Sequence, residues 1–144
     1  AEADISAMTV QALSSYYDSD KRVKASVDKA VAPLSSMQSS TGGYSSGKTL
    51  TSESAAQVVV ALTALGIDPF TDSRFIKNDV SVLDSLCSFY VDGGGFRHSS
   101  EGKLDEIATA QGFYALCAYY RFINGSPSLY DMSDIIDRPL TEAA

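Results

Sequence analysis

Ala56-Gln57-Val58-Val59-Val60-Ala61-Leu62 reads Ala-Gln-x-x-x-Ala-Leu, and Ala110-Gln111-Gly112-Phe113-Tyr114-Ala115-Leu116 reads the same. A looser copy, Ala7-Met8-Thr9-Val10-Gln11-Ala12-Leu13, keeps the first Ala and the closing Ala-Leu. The closing leucines stand at 13, 62 and 116, in steps of 49 and 54 residues. A second motif alternates with the first. Leu34-Ser35-Ser36-Met37-Gln38 leads to Gly42-Gly43-Tyr44, and Leu86-Cys87-Ser88-Phe89-Tyr90 leads to Gly94-Gly95-Phe96. Leu34 to Leu86 and Tyr44 to Phe96 are both separated by 52 residues. Two landmarks in one register define an internal repeat of about fifty residues with two helical patterns per unit.

The two patterns differ in their surroundings. A helix expected near Lys21 to Ser39 places Val23, Val27, Ala30, Val31, Leu34 and Met37 on one stripe, with Lys21, Lys24, Asp28 and Lys29 elsewhere. Such a helix has a wet side. Pro33 lies within it and predicts a kink or early break. A fourth helix, Ser73 to Val91, repeats the design with Ile76, Val80, Leu83, Cys87 and Tyr90. Helices one (Asp4 to Tyr17), three (Ser52 to Leu65) and five (Asp105 to Ile123) are apolar on most sides and need cover on most sides. Odd-numbered helices are therefore expected inside and even-numbered ones outside. Thr51 or Ser52 caps helix three, Asp20 caps helix two, and Gly66 with Pro69 ends helix three. Gly42-Gly43 and Gly93-Gly94-Gly95 permit sharp reversals, while Ser39 to Thr51 reads as a surface loop and no segment reads as a strand. Residues 1–123 form the repeat domain. Asn124 to Ala144 reads as a linker or tail, with at most a short turn near Ser133 to Asp137.

At 144 residues with 44% apolar and 20% charged, the chain suits one globular domain. Its net charge of −7 argues against a nucleic-acid partner, which requires a basic face, and against docking on anionic lipid. No apolar run reaches the roughly 20 residues of a transmembrane helix, and the first residues show no signal peptide. Cys87 and Cys117 follow leucines in apolar patterns. They read as buried free thiols, with a single disulfide as the alternative.

The outer-helix ends carry a known pattern. Lys29-Ala30-x-x-Pro33-Leu34-x-x-x-Gln38-x-x-x-Gly42-x-Tyr44 resembles the QW repeat of terpenoid cyclases and protein prenyltransferases, with Pro33 and Tyr44 in place of the two aromatics. The second copy keeps Leu86, Gly94 and Phe96, but Tyr90 replaces the Gln. The resemblance spans about residues 4 to 123. It implies an all-α partial α/α toroid, a superhelix of hairpins with inner and outer helices alternating. It also resembles the prenyltransferase-type repeats of secreted or surface-attached Gram-positive proteins, which often precede a transcobalamin-like module. Gln38, Gly42, Tyr44, Gly94 and Phe96 are then structural: Gln bonds a neighbouring helix end, Gly allows the reversal, and the aromatic packs back.

The catalytic equipment of the enzymatic relatives is incomplete. Asp18-Ser19-Asp20-Lys21 is one carboxylate short of Asp-x-Asp-Asp, and no Asp-x-Cys occurs. His98 is the sole histidine, a poor start for a zinc site. Gln111 and Gln57 have Ala108 and Ser54 three residues earlier, where a thioester needs Cys. Asp105 and Glu106 diverge by about 100° on a helix and suit its start better than paired acid–base work. Gly93-Gly94-Gly95 lacks the Lys-Ser/Thr of a phosphate loop.

The expected function is a non-catalytic binding or structural module of a secreted or cell-surface bacterial protein. No catalytic, cofactor or metal role falls to any residue. Glu53, Gln57, Gln111, Tyr44, Phe96 and His98 form the expected face for a small-molecule or protein partner, unless both glutamines serve to crosslink helices. Tyr44 and Phe96 are the aromatics expected nearest the surface. One alternative is a fragment of a terpenoid cyclase or prenyltransferase-like enzyme; another is a cobalamin-carrier-like module. Helix five lacks an outer partner, so its apolar groups need the tail, a second copy or a following repeat as cover. Strands in the middle of the chain, or helix three against solvent, would overturn both the kinship and the function expected from it.

Overall fold

The computed structural model describes residues 2–131 and 133–134. Helices α1 (Ala3–Ser14), α2 (Lys21–Met37) and α3 (Ser52–Ala64) stand close to their expected bounds. The caps are those the sequence offers: Asp20 accepts from Arg22 N and Thr51 from Ser54 N. Pro33 does not break α2. Lys29 and Pro33 are both exposed, so the carbonyl that loses its donor faces water.

The expected fourth helix is largely absent. In its place stand a single 3-10 turn at Ser73–Phe75, strands β3 (Ile76–Lys77) and β4 (Val80–Ser81), and a six-residue helix α4 (Val82–Cys87). Asn78 and Asp79 take φ of 50° and 64°, the pair of left-handed residues that a two-residue hairpin turn requires and an α-helix cannot hold. Two similar ladders flank this one. Strands β1 (Ser45–Ser46) and β2 (Thr49–Leu50) lie in the expected loop, joined by Gly47 at φ 61°. Strands β5 (Tyr90–Val91) and β6 (Gly95–Phe96) close over the glycine run, and helix α5 (Glu106–Ile123) follows. All three ladders are antiparallel pairs. The chain is therefore a mixed α/β structure, not the all-α partial toroid expected. Strands do stand mid-chain, contrary to the condition set for the kinship, although α3 is not against solvent.

Helix α3 lies between α1 and α5, with α2 on α1 and α4 on α3. Ten of the thirteen α3 residues are buried. Each hairpin brings an aromatic into the core: Tyr44 just before β1, Phe75 just before β3, and Phe96 within β6. At Gly42, φ is +76° and a Cβ would lie 2.7 Å from the Ser81 carbonyl oxygen, so only glycine fits this reversal.

The described residues do not cover helix α5 all round. Ile107, Phe113, Tyr120 and Ile123 are between 45% and 67% exposed along one side. Cys87 and Cys117 are unpaired and exposed, not buried as expected, because each sits on the open side of its helix. After α5 the chain folds back. Arg121 donates through Nε to the Pro127 carbonyl (2.9 Å) and through an Nη to Asp134 (2.9 Å), while Leu129 packs on the core. The turn expected at Ser133 to Asp137 lies outside the described residues except for Ser133 and Asp134.

Candidate functional site

The repeated glutamines meet. Gln11 Nε2 donates to Gln57 Oε1 (2.9 Å) and to the Gln57 carbonyl (2.9 Å). Gln57 Nε2 donates in turn to Gln111 Oε1 (3.1 Å) and to the Tyr114 hydroxyl. A row of amides thus runs from α1 through α3 to α5 across three helices. Both ends of the Gln57 side chain are engaged, which favours the crosslinking role over ligand contact for this residue. A chain of aligned amides also polarises each member, strengthening its neighbours' bonds. Gln11 and Tyr114 were missed by sequence reasoning. The signal was present in Gln11, since it precedes Ala12-Leu13 in the looser copy. It sits one position short of one turn beyond Met8, the register equivalent of Gln57, and so reaches the same face.

Glu53 and His98 also meet. His98 Nδ1 lies 2.9 Å from Glu53 Oε1, and Ser52 Oγ donates to Glu53 Oε2 at 3.1 Å. Ser52 N donates to the His98 carbonyl (3.1 Å), so backbone and side chain both tie the loop before α5 to the start of α3. The hydrogen bond to Glu53 holds the imidazole pKa above its ordinary value, with the nearby Asp105 carboxylate acting in the same direction. The pair is lopsided: the His98 side chain is 55% exposed and that of Glu53 only 16%.

Tyr44 and Phe96 do not join this face. Both are fully buried, so their expected place near the surface is corrected. The glycines before them let the chain turn inward, not outward. Phe96 rests on Gly112, with Tyr90 and Phe113 edge-on at 5.6 and 5.7 Å between ring centroids. Its backbone N–H donates to Thr109 Oγ1 at 3.0 Å. Burial pushes the Tyr44 hydroxyl pKa far up, and that hydroxyl has no hydrogen-bond partner among the described residues.

No family model, curated protein or solved structure matches the chain.

The motif residues have the following places. Gln38 is buried and its Nε2 donates to the Gly42 carbonyl (2.9 Å) and the Phe75 carbonyl (2.8 Å). It ties the end of α2 to the turn before β3. Gly94 lies in the β5–β6 turn and is exposed, with Gly93 carrying the positive φ of 88° there. Asp105 caps α5 through Ala108 N (2.8 Å), and Asp20 caps α2, so neither is aimed at a substrate. No group of three or more His, Cys, Asp or Glu converges among the described residues. None of the described helices is long and apolar enough to cross a membrane.

An open cavity of about 850 Å³ lies where the C-terminal ends of α1, α3 and α5 come together, under the returning tail. Ser14, Ser15, Thr63, Ser126, Ser128 and Tyr130 are among its lining residues, and none of the six residues of the expected face is.

Proposed function

We propose that the chain is a non-catalytic binding or structural module. The amide row of Gln11, Gln57 and Gln111 carries the proposal, because the repeated polar residues are engaged with one another instead of facing a reactant. Glu53, likewise, has both carboxylate oxygens bonded within the chain. Such bonding fixes three helices in register and leaves contact with other molecules to the helix edges.

Thermal unfolding with added small molecules tests this against the two alternatives. A ligand that binds only the folded chain, at about a hundred times its Kd, stabilises by roughly 2.7 kcal/mol. For a domain of this size that is a rise in Tm on the order of 5–15 °C. The expected result is an unchanged Tm with cobalamin, and with a prenyl diphosphate plus zinc. A rise with cobalamin would establish a carrier, and a rise with the diphosphate and zinc an enzyme fragment; either overturns the proposal.

A further inference from the structure

The internal repeat lets the surfaces of the three long helices be compared position by position. Aligned on Ala-Leu, Ala110 and Cys117 of α5 match Ala56 and Thr63 of α3. The α3 pair is buried, whereas the α5 pair is exposed. At the other end, Ile5 and Ala12 of α1 match Ser54 and Ala61 of α3 and Ala108 and Ala115 of α5. Again the later copies are buried and the α1 residues are exposed. Helix α3 uses one of these surfaces on each side, because it stands between α1 and α5. The open side of α5 is thus the surface that meets a following helix, and the open side of α1 the surface that meets a preceding one.

Their chemistry matches. Ile107, Ala110, Phe113, Cys117 and Tyr120 make an exposed, mostly apolar stripe on α5, with Glu106 at its N-terminal end. Ile5, Met8, Thr9 and Ala12 make another on α1, and Tyr16 extends it in the turn after the helix. A chain of net charge −7 would repel its own copies through a typical surface, whereas the α1 stripe is uncharged and the α5 stripe carries one charge, Glu106 in its first turn. A groove of about 630 Å³, lined by Phe113, Leu116, Cys117 and Tyr120 and bordered by Ser126 and the Arg121–Asp134 ion pair, offers room for a protruding side chain. Large exposed apolar surfaces of this kind mark interaction sites.

We propose that the chain associates with copies of itself head to tail, the α5 edge of one copy receiving the α1 edge of the next. The packing is the one that already joins α1 to α3 and α3 to α5. Such a contact is heterologous, each copy using two different surfaces, so growth is open-ended unless the rotation closes. The inference extends the reading of the chain as a binding or structural module, and rests on it.

The test uses the full chain in sedimentation equilibrium, with two variants at exposed positions: Ala110→Arg on the α5 edge and Ala12→Arg on the α1 edge. The wild type is expected to form concentration-dependent oligomers, and each variant alone to be monomeric. An equimolar mixture is expected to form a 1:1 heterodimer that grows no further, because the intact α1 edge of the first variant meets the intact α5 edge of the second. A monomeric wild type overturns the proposal. So does either variant dimerising alone, which a symmetric edge-to-edge contact would produce, or a mixture that stays monomeric. Tyr120→Glu and Ile5→Glu serve as a second pair if circular dichroism shows an arginine variant unfolded. A Tm rise with cobalamin would sink the functional reading while leaving these outcomes unaffected, so the two failures are distinguishable.

Discussion

Gly112→Ala is the substitution whose sign decides whether the Phe96 seat is built as described. Helix propensity alone favours alanine in the middle of α5 by about 0.5–1 kcal/mol. The structure opposes this. A Cβ at Gly112 would lie 2.6 Å from Phe96 Cγ and 2.7 Å from Cε2. Carbon pairs rest at roughly 3.5–4.0 Å, so the ring must retreat by about 1 Å. It has nowhere to go. Tyr90 and Phe113 stand edge-on to it, and its backbone is held by Thr109 on the amide and by Asp105 N at 2.9 Å on the carbonyl. Overpacking of this kind costs about 1–3 kcal/mol, which outweighs the propensity gain and leaves a net loss of about 1–2 kcal/mol. Urea unfolding followed by circular dichroism should show a lower midpoint with unchanged m. The control is Phe96→Leu, which loses stability itself but opens space above position 112. In that background Gly112→Ala should be neutral or stabilising, so the two substitutions couple by about 1–2 kcal/mol or more. A stabilising Gly112→Ala in the wild type, or the same cost in both backgrounds, would refute the reasoning.

The single histidine makes a second measurement unambiguous. Proton NMR titration of His98 should give a midpoint above 6.5, because the bond to Glu53 favours the charged ring. A raised folded-state pKa means the pair's stabilisation is fully present below about pH 6.5 and lost as pH rises through the folded value. His98→Gln should therefore flatten the decline in urea midpoint between pH 6 and 8; a midpoint at or below 6.5 refutes it. Tyr44→Phe should raise stability by about 1 kcal/mol, since the buried hydroxyl has no partner among the described residues, and a loss of similar size would reveal one. Gln57→Ala removes three side-chain bonds and should cost about 1–3 kcal/mol in urea midpoint terms. Its double-mutant cycle with Gln11→Ala should show coupling of about 0.5 kcal/mol or more, and strict additivity would show that the row does not crosslink the helices.

How far the sequence could be read depended on length. Helices α1, α3 and α5 are long enough for three or more turns of apolar periodicity, and α3 and α5 start at Thr51 and Asp105, side chains that cap in any context. The ladders are two residues per strand, too short for alternation to register as a pattern. Ile76, Val80, Leu83, Cys87 and Tyr90 step by four, three, four and three residues, which imitates a helical stripe. Two local signals argued otherwise. Asn78-Asp79 is a pair that tolerates left-handed φ, and Ser81-x-x-Asp84 forms a capping box inside the supposed helix. Weighing the stripe above the punctuation produced the wrong element and, with it, the all-α assignment.

The candidate face was misread for a related reason. Exposure of an aromatic after a glycine pair depends on which way the reversal turns, and the sequence holds no sign for that direction. Gly42 fixes it here, since its positive φ and its closeness to the Ser81 carbonyl oxygen accompany a turn that carries Tyr44 into the core. The glutamines were better specified because a shared register in two parallel segments brings equal positions to equal depths. By the same logic the repeat dictates which surfaces its terminal copies leave open. Buried positions of α3 have exposed counterparts in α5 on one side and in α1 on the other. An apolar edge of that origin is not a random feature of surface composition. On the head-to-tail packing proposed above it is one half of an interface whose other half the chain also carries, and that makes self-association the consequence to measure first.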